Sequence, residues 1–411
     1  MNILLINHYA GCPECGMEFR PYYLAWHWQK LGHKTIIVAA SHSHLRRKNP
    51  VLENNLQTEI IDGIEYLWVK TPSYTGNGLD RIKNMLSFVH TLKKNAKFIA
   101  EKYQPDIVIA SSTYPMDIAP AKKIARLANA KLIFEIHDLW PLSPMELGGY
   151  SKYHPFIMYV QHYENMAYKH ADAVVSILPK TKEHCIEHGL KPEKWFHVPN
   201  GIFEKDWKQT ADIPAEHKQK LQELKNKRLF LIAYTGNLGV ANDLYTFIDT
   251  KKYLKNSDIA IILLGKGTEK ERLKDYVQKQ NYQNVYFFDA IEKNAIPEFL
   301  KYVDAVYIGL KKQPLFRFGV SPNKLFDYMM AKKPIIYAVE AGNDLVKEAN
   351  AGISVEPENP RAIAQAIDQL ASMPSEKLKE MGENGYKFVI ENHTYEKLAQ
   401  RFLNVMQKIR E

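Results

Sequence analysis

The segment Ser321-Pro322-Asn323-Lys324-Leu325-Phe326-Asp327 carries the clearest chemical signal in the chain. Ser321 and Pro322 suit a helix start, the serine as a cap and the proline beside the first turn. Lys324 then falls in the first turn, where the helix dipole disfavours a cation. A cation there makes sense when a bound anion lies in front of it. Asp327, three residues on, shares its side of the helix. One face thus offers an ammonium for a diphosphate and a carboxylate for vicinal hydroxyls. The competing reading is an i,i+3 surface ion pair.

Thr235-Gly236-Asn237-Leu238-Gly239 follows an apolar run and precedes a helical pattern. Glycines let backbone approach a ligand, and a following helix N-terminus supplies free N–H groups, so Gly236, Asn237, Leu238 and Gly239 read as a phosphate loop. Taken alone the signal is weak, because many strand-to-helix turns contain glycine. Gly265-Lys266-Gly267 ends another apolar run, and Gly265 fits a ligand-facing bend and a plain turn equally well. With Ser321, Asn323, Lys324, Leu325 and Asp327 these residues make up the donor-binding set. Glu135-Ile136-His137-Asp138-Leu139-Trp140-Pro141 places a histidine and an acid at the end of a strand. His137 and Asp138, together with Lys324, are therefore the catalytic candidates.

Gly16, Glu18 and Arg20 follow the first strand and read as part of a substrate loop, which the family resemblance given below assigns to the acceptor side. The same loop holds Cys12-Pro13-Glu14-Cys15. A redox pair or half a zinc site is conceivable there, but the third and last cysteine, Cys185, stands alone. With no second pair to complete a zinc site, two plain loop cysteines is the favoured reading. The chain has no Asp-x-Asp, the usual carboxylate clamp on a metal–diphosphate. No metal and no cofactor are expected; neutralisation falls to Lys324 and to helix N-termini.

These groups need rigid elements behind them. Apolar runs at 3–7, 34–40, 64–69, 107–110, 131–136 and 173–176 alternate with helical patterns at about 19–31, 79–103, 118–128 and 156–170. The alternation pauses at Pro199-Asn200-Gly201 and a charged stretch, 204–227, then resumes with strands at 229–234, 259–264, 285–288, 305–310 and 334–338. Alternating strands and helices imply parallel, doubly wound α/β sheets. The division is a first Rossmann-like domain over 1–200, a second over 201–394, and a last helix at 395–411 crossing back to the first. Two such domains facing a cleft would bind ligands at the carboxyl ends of their strands.

At 411 residues, 45% hydrophobic and 25% charged, the chain has an ordinary globular composition. The net charge of +9 favours an anionic partner. Nucleic acid is excluded on pattern, since the basic residues are spread and no base-stacking module is evident. No stretch nears the roughly 20 apolar residues of a membrane span, and the N-terminus reads as a strand, so a cytoplasmic location is expected. Over 81–103, Met85, Phe88, Val89, Leu92, Ala96 and Ile99 recur at helical spacing, beside Lys93, Lys94 and Lys97. The stripe itself reads as an ordinary core-facing helix face. The basic flank, with Arg46-Arg47-Lys48, suits docking at the anionic inner face of the plasma membrane, at about 1 kcal/mol per cation.

Together these segments resemble the family 4 retaining glycosyltransferases of GT-B fold, especially the branch that assembles bacterial O-antigen and capsule sugars, including N-acetyl-fucosamine transferases. Beyond the stretches above, the matching residues are Leu31-Gly32-His33-Lys34-Thr35, Val198-Pro199-Asn200-Gly201-Ile202, Tyr234 ahead of Thr235, and Tyr328-Met329. The set runs through nearly the whole chain in order. The resemblance implies transfer of a sugar from a nucleoside-diphosphate donor, UDP-linked, to a lipid-linked or glycan hydroxyl, with the donor held mainly by the second domain. By position it implies Lys324 on the diphosphate, Asp327 on the ribose, Gly236 and Asn237 along the phosphate loop, and His137 at the transferred sugar. Two departures stand out. The first acid of the family's acid-x7-acid pair falls on Gly319, and the basic pair after the phosphate loop has no counterpart near Val240-Ala241-Asn242-Asp243. A sugar-nucleotide 2-epimerase shares this architecture, and a non-catalytic nucleotide- or glycan-binding protein is the third reading.

Overall fold

A strand that is apolar at every position must be covered on both faces. Ile3-Leu4-Leu5-Ile6 is such a run, and all four side chains are buried in β1 (Asn2–Ile6). The computed structural model describes residues 1–76, 78–208 and 210–411. It divides into one unit of Met1–Asn200 with Tyr395–Glu411, and a second of Gly201–Thr394.

Among the described residues, the N-terminal unit holds an eight-stranded sheet. Its strands are β1, β2 (Lys34–Ala40), β3 (Gln57–Ile61), β4 (Ile64–Val69), β5 (Ile107–Ala110), β6 (Lys131–Ile136), β7 (Ala173–Ser176) and β8 (Trp195–His197). They lie in the order β3-β4-β2-β1-β5-β6-β7-β8. All neighbours are parallel except β3 and β4, an antiparallel hairpin turning on Asp62-Gly63, both with positive φ. That is the Asp-Gly signature of a tight hairpin, and with it the polar edge strand β3 departs from a purely parallel reading. The amphipathic segment is two helices, Leu79–Lys94 and Ala96–Tyr103, rather than one. The break falls at Asn95, whose side chain donates to the Thr91 carbonyl at 2.8 Å. Met85, Phe88, Val89, Leu92, Ala96 and Ile99 are all buried, so the apolar stripe packs inward, while Lys93, Lys94, Lys97 and Phe98 face solvent. The last helix, Tyr395–Arg410, belongs to this unit: Ala399 accepts from the Trp28 indole at 3.0 Å, and Phe402 packs edge-on against that ring.

The C-terminal unit carries β9 (Phe230–Asn237), β10 (Ile259–Lys266), β11 (Val285–Phe288), β12 (Ala305–Gly309), β13 (Ile335–Ala338) and β14 (Gly352–Ser354). They form a parallel sheet in the order β11-β10-β9-β12-β13-β14. Successive β9 side chains serve opposite cores, Leu231 and Ala233 on one face, Ile232 and Tyr234 on the other. Strands β8 and β14, only three residues each, escaped the sequence pattern because so short a run has no period. No helix among the described residues is long and apolar enough to cross a membrane.

Candidate active site

Lys324 is the second residue of the helix Asn323–Met330. Its Nζ donates to Tyr234 Oη at 2.6 Å and Asn242 Oδ1 at 3.2 Å, and sits 4.1 Å from the centre of the Tyr234 ring. Tyr234 in turn donates to the Asn237 carbonyl at 2.8 Å, which also accepts from the Asn242 amide at 3.0 Å. No acid lies within ion-pair reach of Lys324 among the described residues. Burial without a counter-charge pulls its pKa down to about 7. An ammonium has three donors, and the third has no protein partner among the described residues. The site is an amine held in place and short of one anion.

The glycines earn their positions here. Gly236 has φ +134°, and a Cβ there would stand 3.4 Å from Lys324 Nζ. Gly265, paired with it across β9 and β10, has φ +153°, and its Cβ would fall 1.8 Å from the Gly236 carbonyl oxygen. Gly236 and Asn237 are therefore the end of β9 rather than a loop, and Gly265 serves the close pairing of the two strands. Leu238 and Leu325 are fully buried core side chains, leaving only their backbones near any ligand. Gly239 is extended and leads into a single 3-10 turn, Val240–Asn242. The helix after it is only six residues, Leu244–Asp249, and begins on Asp243, a buried acid whose Oδ2 has no partner. Burial raises the Asp243 pKa. The expected helix N-terminus for phosphate is thus occupied by an acid. Pro322, rather than Ser321, holds the N-cap position, in extended geometry, and Asn323 is exposed.

Asp327 has different neighbours from Lys324, despite the i+3 spacing. Burial raises its pKa to about 6, against a hydrogen bond from Trp207 and the charge of Lys293; Asp206 pushes the same way as burial. It is not Lys324's ion-pair partner. Gly319, at φ +96°, ends the 3-10 segment Pro314–Phe318, in a conformation an acid at that position would adopt only with strain.

In the N-terminal unit, three neighbouring strands deliver polar groups from their carboxyl ends: Asn7 after β1, Ser111 after β5, and Glu135 and His137 from β6. Glu135 Oε2 accepts from Ser111 Oγ at 2.6 Å and lies 3.1 Å from His137 Nε2. Its other oxygen takes Arg20 Nε at 3.0 Å and Nη2 at 2.9 Å. Burial alone would raise the Glu135 pKa, but Arg20, with His137 and Ser111, holds it down at about 2. The remaining Arg20 donors go to the carbonyls of Pro199 at 2.6 Å and Val198 at 2.8 Å and to Asn200 Oδ1 at 3.4 Å. Arg20 is therefore not on an acceptor loop. It is the first residue of the helix Arg20–Lys30, 1% exposed, and it ties that helix to β6 and to the segment at 198–200. His137 is oriented through Nε2, and its Nδ1 has no partner among the described residues. Asp138 accepts from the Leu139 amide, the Trp140 indole and Ser143 Oγ. Its oxygens are spent on shaping the turn after β6, which makes it a positioning group.

Gly16 and Glu18 lie in the segment after β1, folded on itself: Gly11 donates to the Glu18 carbonyl at 2.7 Å, and Gly16 bridges to both Cys12 and Arg46. Cys12 and Cys15 are joined as a disulfide, not two separate thiols, with Cα atoms 4.9 Å apart. The Cys-x-x-Cys spacing was the available signal. The residues to which pattern reading gave no role are Tyr234, Asn242, Ser111 and Asn7. Tyr234 could have been found two residues before Gly236, on the same face of β9.

The model of the family described as Glycosyltransferase Family 4 matches residues 15–204, and that described as Glycosyl transferases group 1 matches 215–388. The chain belongs to the family 4 glycosyltransferases. It is 24% identical over 280 residues to a putative colanic acid biosynthesis glycosyl transferase of Escherichia coli, covering 66% of this chain and 68% of that one. Among solved structures it resembles sucrose-phosphate synthase from Thermosynechococcus elongatus, with a TM-score of 0.74 at 15% identity over 99% of this chain and 98% of that one. It also resembles the Anabaena protein HepE in complex with UDP-glucose, with a TM-score of 0.67 at 14% identity over 99% of each. These likenesses place the fold as GT-B. The chain is a glycosyltransferase, and so an enzyme.

Proposed function

We propose that the enzyme transfers a sugar from a UDP-linked donor to a lipid-linked or glycan hydroxyl in cell-surface polysaccharide synthesis, with retention of configuration. The observation that supports the donor class is Lys324, a half-buried amine held by Tyr234 and Asn242 with one donor unspent and no counter-charge among the described residues. A diphosphate supplies the missing charge. As the glycosidic bond breaks, negative charge builds on the departing diphosphate, and a fixed ammonium in a dry site stabilises it more than the ground state. Asp327 serves the ribose hydroxyls. His137, held by Glu135, accepts a hydroxyl of the transferred sugar at Nδ1 while its Nε2 faces the carboxylate. Gly16 and Glu18 belong to the acceptor side. Nothing in this chemistry calls on a divalent metal.

Two experiments test the reading. Purified enzyme is screened by thermal shift against a panel of sugar nucleotides in EDTA, with Lys324→Ala beside it. UDP sugars are expected to stabilise the wild type and not the variant. Stabilisation equal in both, or only after magnesium is added, overturns the assignment. Slow donor consumption without any acceptor, yielding an epimer, would favour the 2-epimerase. Peripheral docking rests on the exposed Lys93, Lys94 and Lys97. Binding to vesicles with anionic lipid should fall with salt and fall again when all three become Glu; indifference of the wild type at low salt points to a soluble acceptor.

A further inference from the structure

We propose that Glu164, His184 and His188 of the N-terminal unit form a site for a divalent transition-metal ion, with zinc the best-fitting ion. Glu164 lies on the helix Pro155–His170, and His184 on the helix Lys182–Glu187, which ends on His188. Histidines four apart stand on one helix face, and the two ring centres are 4.3 Å apart. One ligand atom from each of the three side chains lies within 4.8 Å of the others. His184 Nε2 and a Glu164 oxygen are already 2.9 Å apart. Two imidazoles and one carboxylate are a donor set that zinc accepts, leaving a fourth position for water.

The surroundings orient the ligands as a metal site requires. A coordinating histidine commonly donates its other ring N–H to a carbonyl. His188 Nδ1 lies 2.8 Å from the His184 carbonyl oxygen, which leaves Nε2 as its ligand atom. Glu164 is steadied by Tyr168 Oη at 2.9 Å and the Gln161 amide at 2.6 Å. Glu164 is 1% exposed and has no lysine or arginine within ion-pair reach among the described residues. A buried carboxylate without a permanent cation is costly, and its one ion-pair neighbour, His184, carries charge only when protonated. A dication supplies a permanent charge. Half-buried His188 gives the ion a way in from solvent. The ion would pin the two helices together. These hydrogen bonds of Glu164, His184 and His188 involve neither His137 nor Lys324, and the ion's role is structural.

The test uses untagged, full-length, disulfide-intact protein, stripped with chelator and dialysed. Titration with zinc is expected to show one tight equivalent per chain, and cobalt(II) to give the visible absorption of a four-coordinate N,O site at one equivalent. His188→Gln, a half-exposed change, should weaken zinc at least ~10-fold, as should Glu164→Gln. Absence of stoichiometric zinc and of the cobalt bands in the wild type overturns the site, as does wild-type affinity in both variants. If Glu164→Gln does not fold, the wild-type cobalt spectrum and His188→Gln decide the matter.

Discussion

Two cations drawn into the fold, Arg20 fully buried and Lys324 half-buried, differ in a respect that separates scaffold from site. Arg20, in the N-terminal unit, meets a carboxylate and two carbonyls. Lys324, in the C-terminal unit, meets a phenol and an amide oxygen, and no acid. The first charge is complete within the chain, and the second is complete only with a ligand. Burial is therefore a poor guide to function, and the state of the counter-charge a better one.

The sharpest way to break this comparison is to remove the complement of Arg20. Glu135→Gln should cost about 3–5 kcal/mol in unfolding experiments, because a buried guanidinium loses its counter-ion. Arg20→Met with Glu135→Leu should recover much of that loss. A Glu135→Gln protein as stable as wild type would show that Arg20 is not held by charge.

Lys324 should behave in the opposite sense. Lys324→Met should lower turnover about 10²–10³-fold while making the protein more stable, on the order of 1–3 kcal/mol near pH 7. The sign follows from proton counting. The folded pKa, about 7, is below the unfolded one, so the unfolded chain binds more protons above pH 7, and wild-type stability rises with pH until the unfolded lysine titrates. Removing the lysine removes that dependence. Donor affinity runs the other way, since the anion needs the ammonium, and it should weaken as pH rises above about 7. Asp327, raised to about 6, should add a fall in affinity below that pH. Calorimetric titration with UDP across pH 5–9 checks both limbs; the alkaline limb should vanish in Lys324→Met and the acid limb in Asp327→Asn. A flat profile in the wild type would remove both groups from the donor site.

The smallest effect is expected at the boundary between the two cases. His137 is completed on one nitrogen by Glu135 and open on the other. His137→Ala should lower kcat about 10–100-fold with UDP affinity changed no more than about twofold. Equal losses of turnover and UDP affinity would move it to the scaffold with Arg20.

Much of the architecture was legible because apolar runs and helical periods are local properties. β1, β5 and β6 are apolar throughout, and Lys324 announced itself by sitting at the wrong end of a helix for a cation. β3 was missed although Asp62-Gly63 marked its turn, because its exposed residues carry no apolar alternation. The helix after the phosphate loop starts at Leu244, but that Asp243 heads it as a buried acid is a matter of packing for which no local pattern exists.

The chain's own order of residues determined the two α/β units, the parallel strands and the family, since each rests on periods and motifs that span a few neighbouring residues. Tertiary structure alone decided which charges are complete. Arg20 and Glu135 are 115 positions apart, as fully buried partners, and Lys324 meets Tyr234 across 90. Pairing over such distances is set by the sheet register that brings strand ends together, and no local pattern carries it.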